Sequence, residues 1–102
     1  MNLVPGVQRI TANGSIGPAA VTGLTPRPIR LFAVCLVSGG SASSLILRDG
    51  TSAAATANAQ IDGVASQGVT VNFAGGLRFP NGLFASVDAN INYATFSFTD
   101  EY

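Results

Sequence analysis

The stretch Tyr93-Ala94-Thr95-Phe96-Ser97-Phe98-Thr99 decides how the chain is read, because it alternates without a fault. Ala94, Phe96 and Phe98 fall on one side of an extended backbone, and Tyr93, Thr95, Ser97 and Thr99 fall on the other. It is a half-buried strand.

Working back from it, Leu83 to Val87 reads as another strand, preceded by Pro80-Asn81-Gly82. The proline cannot donate to a ladder, and Asn81-Gly82 suits a type I′ turn. Leu77-Arg78-Phe79 leads into that turn after Gly75-Gly76, which is expected to break the strand holding Val69, Val71 and Phe73. Those three alternate with Thr70 and Asn72, and so are placed inward.

Ala53 to Ile61 carries two opposing signals. Its alanines favour a helix, whereas Ala55, Ala57, Ala59 and Ile61 alternate with Thr56, Asn58 and Gln60 as a strand would, and strand is preferred. Asp62-Gly63 closes it. Ser44 to Asp49 is a further strand, ended by Asp49-Gly50, a dipeptide suited to a tight hairpin turn. Ile29 to Val37 is apolar on both alternations, as expected of a central strand covered on both sides, with Leu31, Ala33, Cys35 and Val37 assigned to the core.

About seven or eight strands at a spacing near ten residues point to an all-β fold, an antiparallel β-sandwich for which a jelly roll is one arrangement. Strand order stays open at this level. Residues 1–28 differ, since Pro5, Gly6, Gly14, Gly17, Pro18, Gly23, Pro26 and Pro28 punctuate short apolar pieces. That Gly/Pro-rich segment supports at most a brief strand over Val7 to Thr11, and reads as an intersubunit arm or as irregular surface chain. The sandwich domain is accordingly expected over 29–102.

Only 10% of the residues are charged, against about 25% in an ordinary soluble domain. Lysine is absent, and five arginines balance four aspartates and one glutamate to a net charge of zero. A surface without mixed charge suits a chain whose exterior is partly covered by other subunits. The same balance argues against nucleic acid, whose binding rests on clustered Lys and Arg. No run approaches the length of a membrane span, and the start lacks a secretory head, so synthesis in the cytoplasm is expected.

The absence of histidine removes the usual general base and zinc ligand together, and the absence of lysine removes Schiff-base and P-loop chemistry. Asp49, Asp62 and Asp88 stand beside turn residues, where aspartate bonds its own backbone, and a carboxylate pair is not favoured. Asp88-Ala89-Asn90-Ile91-Asn92 opens like a calcium loop but then places Tyr93 where glycine is needed and Thr99 where glutamate belongs. Asn13-Gly14-Ser15 reads as a turn. Cys35 reads as a small buried hydrophobe. No catalytic, metal or cofactor residue is assigned. Tyr93 and Tyr102 are the aromatics expected to be exposed for ligand contact.

Leu47-Arg48-Asp49-Gly50-Thr51-Ser52, Phe79-Pro80-Asn81-Gly82-Leu83-Phe84 and Val87-Asp88-Ala89-Asn90 together resemble small β-sandwich virion proteins of tailed bacteriophages, notably those of marine bacteria. The likeness spans about residues 30–98 and rests on strand and turn phrases. It implies a structural component of the particle, a capsid decoration or head-associated protein in many copies, with the major capsid protein and further copies of itself as partners. Two other roles fit the residues: a receptor- or glycan-binding module of a tail fibre or spike, and a tail or neck connector.

Overall fold

A computed structural model describes residues 3–17 and 28–101. Eight strands run as β1 Leu3–Ile10, β2 Gly14–Ile16, β3 Ile29–Ser38, β4 Ser43–Asp49, β5 Thr56–Gly63, β6 Gly68–Phe79, β7 Leu83–Val87 and β8 Ile91–Glu101. There is no α-helix among the described residues.

The strands form two four-stranded antiparallel sheets, sheet A in the order β1-β8-β3-β6 and sheet B in the order β2-β7-β4-β5. Successive strands change sheet at every connection except β4 to β5, which form a hairpin. This interleaving is the strand order of a jelly roll. The fold is therefore the all-β sandwich expected, with its strand order now defined.

The core lies between the sheets. Leu31, Val34, Leu36, Phe79, Ala94, Phe96 and Phe98 enter it from sheet A, and Ile16, Leu45, Leu47, Ile61, Leu83 and Ala85 from sheet B. Each large side chain so enclosed contributes about 1.5–3 kcal/mol through loss of apolar surface to water. Alternation alone directs β8, whose Ala94, Phe96 and Phe98 are buried while Tyr93, Thr95, Ser97 and Thr99 stay half-buried on the outer face.

In β3 the inward set differs from the expected one. Leu31 is in the core, but Ala33, Cys35 and Val37 are half-buried on the outer side, and Val34 and Leu36 are the buried residues. The cause is a bulge: the register slips between Leu31 and Ala33, leaving Phe32 unpaired and shifting the pattern by one. With both alternations apolar, nothing in the local sequence marked that slip.

Opposite Phe32, β6 carries four residues, 73–76, where β3 has one. Gly75-Gly76 thus bends β6 without ending it. Both lie at positive φ, 78° and 86°. A Cβ on Gly76 would also meet the Arg30 side chain at 2.3 Å, so this bend admits only glycine. Val69, Val71 and Phe73 pack against the core from β6 but remain half-buried, because β6 is an edge strand.

The N-terminal reading is corrected as well. Residues 3–10 pair with β8 along the whole length of β1, residues 14–16 pair with β7, and Ile16 is fully buried. Pro5 is tolerated because β1 lies at a sheet edge, and Gly6 leaves room for the Phe98 ring, from which a Cβ there would stand only 2.7 Å. Gln8 ties this edge across the sandwich: its Nε2 donates to the Ser15 carbonyl (3.0 Å), and its Oε1 accepts from the Gly17 N–H (3.0 Å). Residues 18–27, the rest of the presumed arm, lie outside the described residues.

Candidate interaction surface

The two outer faces differ in chemistry. On sheet B, polar side chains on neighbouring strands satisfy one another: Arg48 Nε donates to Ser86 Oγ (2.8 Å), Arg48 also donates to the Ala55 carbonyl, and Gln60 Nε2 donates to both Ser44 Oγ and Asp62 Oδ1. Ile46 and Phe84 stand half-buried among these polar groups.

Sheet A presents Val7, Phe32, Ala33, Cys35 and Val37 among the hydroxyls of Thr95, Ser97 and Thr99, with Arg30 opposite Arg78 at one end. Val7 is 73% exposed and Phe32 38%. Between them runs a shallow groove of about 500 Å³, lined by Gly6, Val7, Phe32, Ser97, Phe98 and Thr99. Its lining is mostly apolar, and the Thr99 hydroxyl is buried within it without a hydrogen-bond partner.

Sequence reasoning missed this groove, because β3 was expected to be covered on both sides and β1 was not expected to pair with β8 over its full length and bring Val7 to this face. Cys35, expected inside, stands half-buried on the same face as a free thiol. Tyr93 is half-buried with the Arg9 guanidinium 4.8 Å from its ring centroid, so a cation–π contact occupies one ring face. That placement departs from the exposed aromatic expected. Tyr102 lies outside the described residues.

The two turns singled out in the sequence meet at one end of the molecule. Asp49 accepts from the Asn81 N–H (2.9 Å) and from Asn81 Nδ2 (3.1 Å), while the Gly50 N–H donates to the Gly82 carbonyl (3.0 Å). The turn itself is not type I′. Asn81 is not at positive φ, and the Gly82 N–H closes onto the Phe79 carbonyl, which puts Pro80 and Asn81 at the centre of a turn with Gly82 last. Nor is Asp49-Gly50 a two-residue hairpin, since residues 50–55 join β4 to β5. Asp49→Ala is expected to lower stability by about 1 kcal/mol, a pair of exposed bonds to one carboxylate, measured by denaturant unfolding.

Asp88 is held in a turn and Asp62 by a side-chain contact, while Asp100 is buried within β8. Asp88 Oδ1 accepts from the Asn90 N–H (3.0 Å), and Asn90 Nδ2 donates to the Ala42 carbonyl. Asn13 Oδ1 accepts from the Val87 N–H (2.7 Å). A second recess, lined by Thr11, Ala12, Asn13, Val87, Asp88 and Ala89, holds the single carboxylate of Asp88. No group of three or more His, Cys, Asp or Glu converges among the described residues. No helix among them is long and apolar enough to cross a membrane.

Set against family models, curated proteins and solved structures, the chain finds no match. The surface chemistry must therefore carry the functional reading.

Proposed function

We propose that this chain is a non-enzymatic structural protein of a virus particle, a capsid decoration or other head-associated protein of a tailed bacteriophage, carried in many copies. The observation that carries the reading is the outer face of sheet A, where Val7 and Phe32 stand exposed beside Ala33, Cys35 and Val37, an apolar strip flanked by Arg9 and by the Arg30 and Arg78 pair. Desolvating such a face against another subunit is favourable at each apolar side chain. Jelly rolls serve in capsids and in lectins alike, so the fold supports the reading without assigning it. The major shell protein and further copies of this chain are the partners.

The test is co-sedimentation of purified protein with phage particles lacking it, with the particle-bound chain counted by mass spectrometry. Binding is expected to saturate at many copies per particle. Phe32→Glu should weaken it at least about tenfold, the cost of a charge in a desolvated contact, while thermal unfolding stays near that of the parent. Absence of the chain from particles, together with unaltered binding of the Phe32 variant to any shell component, would overturn the reading.

A second reading follows from the groove itself. The Phe32 ring beside the Ser97 hydroxyl offers a stacking plane and a hydrogen-bonding group of the kind that sugars use. A glycan array decides it: saturable binding abolished by Phe32→Ala supports a receptor-binding module, and a blank array rules that out.

A further inference from the structure

Four strands lie at sheet edges: β1, β6, β2 and β5. An exposed edge presents unpaired N–H and C=O groups and templates another strand unless something blunts it. Three of the four are blunted. β1 contains Pro5 and Arg9, β2 is three residues long, and β5 carries Asp62 and a register slip at Asn58.

β6 differs over Gly68-Val69-Thr70-Val71-Asn72-Phe73. This segment has no charge, no proline and unbroken register with β3 from Gly68 to Asn72; its bulge comes only at 73–76. Among the described residues no strand pairs with its outer edge. Its inward side chains are also unfinished, since Val69, Val71 and Phe73 are half-buried whereas Val34 and Leu36 on the adjacent β3 are 1% and 0% exposed.

We propose that the outer edge of β6 pairs antiparallel with β6 of a second copy of this chain, about a two-fold axis at Val71, joining the two A sheets into one. The segment is complementary to its own reverse. Centring on Val71 sets Val71 against its twin and Val69 against Phe73 of the second copy, all on the core side of the sheet, while Thr70 meets Asn72 on the outer side. Apolar residues face apolar ones, polar face polar, and no like charges meet. Such an isologous contact closes at two subunits. A ladder this short is small beside standard interfaces, so the free dimer is expected at roughly 100 μM and becomes saturated where many copies are held side by side.

The proposal rests on the assembly reading above and names one contact within it. Sedimentation equilibrium up to about 1 mM, ten times the expected midpoint, should show the 10.3 kDa chain approaching twice its mass. Thr70→Lys with Asn72→Lys sets lysine against lysine at both ends of the ladder, and should weaken dimerisation at least tenfold with an unchanged unfolding midpoint, both positions being exposed. Thr70→Lys with Asn72→Asp sets lysine against aspartate and should restore the dimer. A parent chain that stays monomeric throughout, or a double-lysine variant that dimerises like the parent, overturns the pairing even if the chain binds particles. Loss and rescue in the two variants upholds the pairing even if the chain binds no particle, an outcome that would sink only the assembly reading.

Discussion

Phe96→Asp is expected to abolish the folded state. Phe96 is fully enclosed at the middle of β8, with Gln8 of β1 and Val34 of β3 beside it in register. Removing the ring forfeits about 3–5 kcal/mol of transfer and packing energy. Leaving a carboxylate without a cationic partner in that space adds several kcal/mol more. A domain of this length is stable by only about 5–15 kcal/mol, so the sum exceeds or consumes the whole margin. Near-ultraviolet circular dichroism and thermal melting should show no cooperative transition. Thr95→Asp, one residue away on the outer face, is the control and should cost under about 1 kcal/mol. A Phe96→Asp protein melting like the parent would mean that the faces of β8 are reversed.

Gly63→Ala should be the most damaging conservative change, at about 3 kcal/mol, the sum of overpacking and a broken buried bond. Gly63 closes β5 in a buried position where two buried serines, Ser38 of β3 and Ser43 of β4, are joined through their hydroxyls at 2.6 Å. A Cβ on Gly63 would stand 2.4 Å from Ser38 Oγ and 2.8 Å from Ser43 Oγ. Something must move, and the serine pair is the softest neighbour. The mechanism has its own rescue: Ser38→Ala with Ser43→Ala removes both oxygens, is expected to be nearly neutral in the parent, and should recover most of the lost stability in the Gly63→Ala background. Equal destabilisation in both backgrounds, measured by urea unfolding, would locate the strain elsewhere.

How much of this was legible beforehand differs from strand to strand, for physical reasons. β8 was readable because its two faces differ in polarity, so period and direction follow from the same residues. β3 showed itself as a strand but hid its orientation, because Leu31 to Val37 is apolar on both sides and a single bulged residue reversed the pattern after Leu31. β1 and β2 were concealed by Pro5, Gly6 and Gly14, which argue against a ladder only when the strand is interior; at an edge, the pairing partner β8 supplies what local propensity lacks. The glycine pair in β6 was read as a stop because two glycines weaken any strand, yet pairing with β3 resumes beyond them. The groove of Val7 and Phe32 was the least accessible feature, since it joins residues from distant parts of the chain that only the sheet order brings together. Of the aspartates expected in turns, Asp88 bonds a neighbouring backbone N–H, whereas Asp49 accepts from distant Asn81 and Asp62 lies within β5 against Gln60, because tertiary placement decides which donors a carboxylate meets.

The position of β8 between β1 and β3 has a consequence for folding. The last of the eight strands occupies an interior position in sheet A, so β1 and β3 have no ladder joining them until residues 91–101 are in place. Without β8 that layer holds only the β3–β6 pair, and its completion depends on long-range pairings, which places the chain among slowly folding topologies. The unfolded chain must therefore be kept from aggregating until β8 is in place.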